Sequence, residues 1–495
     1  MTKKAQPAIT LIELAATSRG DLHGKRVEDV YTKINLPSRA IPLLHAILTQ
    51  KGYTDVESID TRYNDRGMIT ESDLDRIRNT DRLLASSIIR TLPQTLELAR
   101  EYKKANPEGL FITGGHPGTF LPETSLHNGA DIVVRGEGDK TIGELMEALD
   151  QNADLKNVQG ISYKDEEGNI HHNQAREFLT EEELDNLPAP YYPEYMRGRR
   201  GVVETARGCP YACEYCGVTQ FFGRKSRRRS NERILEDIRS IVDMGVNNIF
   251  FTDDHFAMKK DATKDLLKKI SEDSKISRIS YSAQLSVNSA FKQNSDEIDY
   301  EFLNLLRQAN LGFVFLGVES INDEVLKEWS KPATAERNMK AVKAFRDNGN
   351  PVHGMMMVGG EEDTPESLDY TVDWCKKNLD SVQFFAPIPL PGTPFWDRMN
   401  EQNRIIADRL PHDYHLYDGQ YVVLQPNNFT PLELQTKIFD MYKQFYGIKG
   451  NIINILKSPR PLEKGGVHAY APRIVKSVEN DPQTTDYMER LRNLE

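Results

Sequence analysis

Three cysteines, Cys209, Cys213 and Cys216, fall within eight residues of the segment Arg207-Gly208-Cys209-Pro210-Tyr211-Ala212-Cys213-Glu214-Tyr215-Cys216-Gly217. Gaps of three and then two residues let one short loop wrap a compact inorganic centre, and thiolates are the soft ligands that iron–sulfur sites prefer. A cubane held by three thiolates keeps one iron open to a small molecule. A structural zinc site closes on four ligands, so zinc would need a distant fourth donor, Cys375 or a histidine. Simple packing of the three side chains is the other alternative. Cys375, in Trp374-Cys375-Lys376, sits in a helical pattern and reads as a small packed residue. Clustering of three among only four cysteines favours metal ligation over disulfides.

Such a loop needs a scaffold. From about residue 200, apolar runs alternate with charged amphipathic ones, and six strands are expected at 202–206, 248–252, 279–285, 312–318, 352–358 and 382–387, with helices at 231–243 and 335–347 among those between them. Six parallel strand–helix units make a partial (β/α)6 barrel, and polar groups collect at the carboxyl ends of its strands. Those ends carry the cysteine loop, Asp253-Asp254-His255, Gln284, Glu319-Ser320, Gly359-Gly360 and the segment 387–393. Asp254 and Gln284 either line a pocket there or tie neighbouring strands together. The run from Arg224 to Arg229 either faces an anion or lies as solvated surface.

The first part of the chain also alternates. Strands are expected at 8–15, 82–88, 109–113 and 131–135, with helices at 38–51 and 93–104. This reads as a doubly wound parallel sheet, of the Rossmann type, covered on both faces, and such sheets bind ligands at the carboxyl ends of their strands. Gly114-Gly115-His116-Pro117-Gly118 and Arg135-Gly136-Glu137-Gly138 stand there, either admitting a large flat ligand to the backbone or forming ordinary turns. A hairpin is expected from 158–164 and 169–172, before the proline-rich stretch 186–193. The expected division is an N-terminal domain at 1–185, a linker at 186–200, the barrel at 201–400 and a mainly helical C-terminal region at 401–495 that covers the substrate. The aromatic stretch 414–421 is expected near the barrel mouth, and the last thirty residues as a loose polar tail.

The cysteine spacing at the end of the first barrel strand resembles the radical S-adenosylmethionine (SAM) superfamily. The resemblance runs over nearly the whole chain to the branch with an N-terminal cobalamin-binding domain. It is carried by the helix at 35–52, Thr91-Leu92-Pro93, Thr113-Gly114-Gly115, Val134-Arg135-Gly136-Glu137-Gly138 and Ile161-Ser162-Tyr163. It continues through Phe222-Gly223-Arg224, Phe250-Phe251-Thr252-Asp253-Asp254, Gly317-Val318-Glu319-Ser320 and Pro389-Leu390-Pro391-Gly392-Thr393-Pro394. Tyr417-Asp418-Gly419 followed by Val422-Val423 is similar to the C-terminal region of the hopanoid methylases and similar lipid-modifying enzymes.

That resemblance implies a 4Fe-4S cluster on Cys209, Cys213 and Cys216, SAM bound at its open iron, and reductive cleavage of SAM to a 5'-deoxyadenosyl radical that attacks an unactivated carbon. Glu319, Asp254, Gln284 and Gly359 are the expected SAM contacts, Glu319 through its amino group or ribose, or else held in a buried ion pair, and Gly359 beside its adenine, or else only forming a turn. The resemblance implies cobalamin held mainly by backbone and small residues near Ser86, Thr91, Gly114 and Gly115. Asp21 and His23 match the start of the Asp-x-His-x-x-Gly loop that places a histidine on cobalt in many such domains, but Arg26 stands where its glycine belongs. The expected activity is cobalamin-dependent C-methylation by a methyltransferase acting on a large apolar, lipid-like substrate, with a reducing electron donor as partner. Ring or C–C bond formation without methylation, as in lipid- and tetrapyrrole-modifying relatives, is the alternative within radical chemistry. A cobalamin or iron–sulfur sensor without catalysis and a zinc-stabilised interaction protein are the alternatives outside it.

Composition narrows the partners. A formal net charge of -11 argues against a general nucleic-acid binder. No apolar run reaches the roughly 18 residues of a membrane span, so lipid access would require peripheral contact with a membrane. The stretch Met1-Thr2-Lys3-Lys4 lacks a secretory apolar core, and a cytoplasmic location is expected.

Overall fold

The structure is a computed structural model that describes residues 6–17, 20–24, 36–64, 67–194, 198, 200–447, 455–456, 458 and 461–494. It divides into two compact units, one of residues 1–27, 37–197 and 408–415, the other of residues 28–36, 198–407 and 416–495.

The first unit is built on a seven-stranded sheet of order β2-β1-β3-β4-β5-β6-β7. Its strands are β1 Ile9–Glu13, β2 Val56–Asp60, β3 Arg82–Ser87, β4 Leu110–Gly115, β5 Ile132–Val134, β6 Ile161–Lys164 and β7 Ile170–His172. The first five are parallel, and the β6–β7 hairpin adds antiparallel to β5. Consecutive residues along each strand enter opposite cores. Ile9 and Leu11 on β1, Leu84 on β3 and Ile112 on β4 pack with Ile41, Leu48 and Leu145. Ile12, Leu83, Ala85 and Phe111 pack with Ile77, Leu98 and Tyr102. A sheet buried on both faces explains why these strands read as unbroken apolar runs. The edge strand β2, Val-Glu-Ser-Ile-Asp, carries an exposed Glu57 and lacks that signature, so the sequence did not reveal it.

The second unit holds a six-stranded parallel sheet of order β8-β11-β12-β13-β14-β15. Its strands are β8 Gly201–Val203, β11 Asn248–Phe251, β12 Ser280–Ser286, β13 Leu311–Glu319, β14 Val352–Met357 and β15 Ser381–Phe385, while β9 Ala206–Arg207 and β10 Arg227–Arg228 form a separate two-stranded ribbon. All six run parallel in chain order, as a partial barrel requires. Helices begin where hydroxyl side chains cap their first turns: Ser230 accepts from Arg233 N, Thr334 from Arg337 N and Thr364 from Ser367 N. The open edge of β15 is closed by side chains. Tyr446 and Tyr442, on the helix Pro431–Tyr446, each take an N–H and return an O–H to Val382 and Phe384, so two phenols replace part of a missing strand.

The C-terminal residues are ordered, against the expectation of a loose tail. They form the helices Pro461–Glu479 and Pro482–Arg492. Tyr487 and Leu491, one turn apart, are buried, and the Tyr487 hydroxyl donates to Val422 O at 2.8 Å. One apolar stripe is enough to dock a helix whose other faces are polar. Among the described residues no helix is long and apolar enough to cross a membrane.

Candidate active site at the carboxyl ends of the barrel strands

The ribbon β9–β10 delivers the chain into the cysteine loop. Gly208 has φ +84°, and a Cβ there would stand 2.5 Å from Lys225 O and 2.9 Å from Gly223 O, so only glycine lets the turn close. Cys209 N donates to Gly223 O and Cys216 N to Cys213 O, both at 3.2 Å. Glu214 pins the loop from within. Its carboxylate receives Arg398 Nε and Nη2 at 2.8 and 3.0 Å, its N–H donates to Trp329 O and its carbonyl accepts from Phe395 N.

Cys209, Cys213 and Cys216 line one cavity of about 400 Å³ together with Asp254, Gln284 and Glu319. Burial pushes the Cys209 and Cys213 thiols up, and that of Cys216 to about 12. A bare thiolate is therefore disfavoured, and a metal centre that takes the place of the proton relieves the cost. Among the described residues no three His, Cys, Asp or Glu side chains converge on one ion. A cluster binds each thiolate through a different iron, so its ligands stand further apart than those of a mononuclear site. The donor set fits a cluster.

Beside the cysteine loop, whose Tyr215 hydrogen-bonds Glu319, β13 ends in a bulge between Gly317 and Glu319 that turns Glu319 into the left-handed region at φ +62°. That conformation costs a non-glycine residue about 1–2 kcal/mol, and such positions gather at ligand sites. Lys331 follows Ser330, which is also left-handed, and its Nζ lies 2.8 Å from Glu319 Oε1, both side chains being nearly buried. Burial alone would lower the Lys331 ammonium, but the Glu319 carboxylate and the cysteines raise it above its ordinary range. A Cβ on Gly317 would stand 2.9 Å from Glu319 Oε1 and 3.3 Å from Lys331 Nζ, so the glycine makes room for this pair. The far wall is apolar and includes Met355, Met357, Phe385 and Leu390, and Asp418 with Gly419 of the aromatic C-terminal stretch also reach the cavity.

Other expected residues lie elsewhere. Gly359 does not line this cavity. Leu434 fills the space over its Cα, where a Cβ would stand 2.5 Å from Leu434 Cδ2, and Asp363 accepts from the N–H groups of Gly359 and Gly360. Arg227, Arg228 and Arg229 are buried, neither solvated nor in the cavity; Arg229 pairs with Asp237 at 2.8 Å. Cys375 is a buried free thiol in the helix Pro365–Asn378.

In the first unit, Ser86, Gly114 and Gly115 share the carboxyl edge of β3 and β4. Each is already engaged by the fold. Ser86 hydrogen-bonds Glu13, the Thr91 hydroxyl closes the loop onto Ile88, and a Cβ on Gly115 would stand 2.3 Å from Ser87 O. A ligand at this edge meets backbone, and beside it Ile88, an apolar side chain 59% exposed. His23 stands elsewhere. Its Nε2 lies 3.6 Å from Glu101 Oε1, in the last turns of the helix Leu92–Ala105, whose first turn follows β3. Some nine residues of helix, about 14 Å at 1.5 Å per residue, separate Glu101 from that first turn.

A radical SAM superfamily model matches residues 203–375 and a B12 binding domain model matches residues 32–146. An uncharacterised methyltransferase of Pyrococcus horikoshii is 28% identical over 360 residues, 70% of this chain and 75% of its own. The hopanoid C-3 methylase of Methylococcus capsulatus is 26% identical over 80% of this chain and 74% of its own. The anaerobic magnesium-protoporphyrin IX monomethyl ester cyclase of Rubrivivax gelatinosus is 26% identical over 83% and 74%. The solved structure of the cobalamin-dependent S-adenosylmethionine radical enzyme OxsB, with aqua-cobalamin and S-adenosylmethionine bound, superposes with a TM-score of 0.70 at 18% identity, over 99% of this chain and 75% of that one. With the matched regions falling on the barrel and on the first unit's sheet, the chain carries a radical SAM domain and a B12-binding domain; it is a radical SAM enzyme, and methyltransferases are among the proteins it is similar to.

Proposed function

We propose that the protein methylates an unactivated carbon of a largely apolar small molecule, with cobalamin as methyl carrier and SAM as both methyl source and radical source. The observation that carries this reading is the placing of Cys209, Cys213, Cys216 and the Glu319–Lys331 pair around one cavity with an apolar far wall. Cys209, Cys213 and Cys216 hold the cluster, and when bound it supplies the electron that splits SAM into methionine and a 5'-deoxyadenosyl radical. Lys331 carries the charge to receive the SAM carboxylate, and Glu319 the acceptor for its ammonium, since a ligand bearing both charges can share a buried ion pair without leaving either partner unmatched. Met355, Met357, Phe385 and Leu390 give the reacting carbon an apolar wall from which bulk water is excluded. In the first unit, backbone at Gly114 and Gly115 and the side chain of Ile88 would hold the corrin, and His23, paired with Glu101, is not placed at that edge. The hopanoid methylase relative supports an apolar substrate.

The cyclase relative favours a second reading, oxidative ring formation without methyl transfer. Anaerobically reconstituted protein, given SAM, a strong reductant and cobalamin, tests both. Formation of 5'-deoxyadenosine with a product heavier by about 14 mass units supports methylation. The same nucleoside with no mass gain supports cyclisation or oxidation, and none of it from protein with an intact cluster refutes both.

A further inference from the structure

The barrel lumen holds a second chamber that the chemistry above does not use. It has a volume of about 390 Å³, lies at the amino ends of the strands, and is floored by Val467, Tyr470, Ala471 and Ile474 of the helix Pro461–Glu479. On three strands, residues two apart divide between the two chambers. On β12, Ser282 faces the lower and Gln284 the upper; on β13, Phe315 and Gly317 divide likewise, as do His353 and Met355 on β14. The partition is aromatic. Phe250 and Phe315 meet edge to face with ring centroids 5.6 Å apart, and Phe315 lies 4.8 Å from His353.

The lower walls are chemically uneven. Asn248, Ser280 and Ser282 bring an amide and two hydroxyls to one side, and these side chains have no hydrogen-bond partner among the described residues. Phe313, Phe315 and Tyr470 supply aromatic surface. Among the described residues Arg200 is the one arginine, lysine or carboxylate in the lining; it remains exposed overall, which puts it at the mouth, and it has no ion-pair partner among them. Burial lowers its guanidinium from the usual arginine range. A metal or organic cation finds no carboxylate among the described lining residues. A polyphosphate would need more than one cation, and a hydrocarbon would leave the amide and hydroxyls unmatched, each at a cost of about 1–3 kcal/mol.

We propose that this chamber binds an aromatic carboxylate bearing a hydroxyl, its carboxylate at Arg200 and its ring against Phe313, Phe315 and Tyr470. The size suits a small-molecule site, and the aromatic partition makes its occupancy independent of SAM. The probe is 6-hydroxy-2-naphthoate, titrated by its fluorescence into the full-length, cluster-reconstituted protein with and without saturating SAM.

One saturable site with the same affinity in both titrations is expected. Arg200→Gln, or replacement of the probe by the neutral 6-hydroxy-2-naphthamide, weakens binding at least tenfold, and Ala471→Trp, which fills the floor, abolishes it. Ser282→Leu fills the chamber from the strand side and serves if the tryptophan variant does not fold, as judged by circular dichroism. Absence of saturable binding, displacement by SAM, or binding that survives the filling variants overturns the site. Undiminished binding in Arg200→Gln overturns the carboxylate assignment.

Discussion

The two chambers of the barrel are nearly equal in volume and share the four strands β12 to β15, yet their linings differ in kind. Above the partition stand three thiols, a left-handed glutamate and a buried lysine. Below it stand serines, an asparagine and aromatic rings. Position along the strand accounts for the difference. Residues at the carboxyl ends continue into loops, which can adopt left-handed or bulged backbone and bring together charges distant in sequence. Residues at the amino ends stay on the strands, which a single register shift between Tyr281 and Ser282 interrupts on β12, and offer mainly what one face of a strand allows. Reactive geometry is thus concentrated at the end of the barrel that carries local strain.

This contrast can be broken by removing ligands from one chamber and reading the other. Replacing Cys209, Cys213 and Cys216 together by alanine should reduce 5'-deoxyadenosine to background while leaving naphthoate binding unchanged; loss of both would show that the chambers are not independent. Lys331→Met leaves Glu319 as an uncompensated buried charge and should lower unfolding stability by about 3–5 kcal/mol, measured in urea, with Glu319→Gln in the same chain recovering part of it. A surface pair would show no such recovery.

A smaller effect separates the chambers by pH. Burial holds His255, in the upper lining, and His353, in the partition, neutral with values of about 4. A histidine depressed on folding contributes stability that is complete above its unfolded value and is lost as pH falls from about 6.5 toward 4. Each should cost about 1 kcal/mol by roughly pH 5.5. His255→Gln and His353→Gln should each flatten part of that slope in urea unfolding, and a variant that leaves it unchanged identifies a histidine already charged. The smallest expected change is in SAM cleavage by Arg200→Gln, less than twofold. A larger loss would tie the lower chamber to the reaction.

Much of the scaffold was legible because buried parallel strands are continuous apolar runs, and helices 231–243 and 335–347 carry caps and regular spacing. The cysteine loop announced itself by spacing alone. Lys331 did not. It lies 12 residues beyond Glu319, its hydrogen-bond partner, next to Pro332 and without local periodicity, and only the bulge and the intervening helix Asp323–Glu328 bring the two together. The arginine run divides: Arg224 and Lys225 are exposed, as charge leads one to expect, whereas Arg227, Arg228 and Arg229 are buried because carbonyls and an aspartate such as Asp237 wait inside. Asp21 and His23 share a motif's letters, but Leu22 N binds Glu97 and His23 faces Glu101, which directs the loop along the helix Leu92–Ala105. Gly359 reads the same whether a ring or a leucine lies over it.

The anchoring of Glu214 has a bearing on damage and repair. Its four protein contacts involve none of the cysteine sulfurs, so they would persist if a cluster on the loop were lost to oxygen. In a zinc finger the metal is the folding energy, and losing it unfolds the segment. Here the receptacle outlives its contents. A burnt-out enzyme molecule needs iron, sulfide and electrons to return to service, with no refolding of the loop and no new synthesis of the chain.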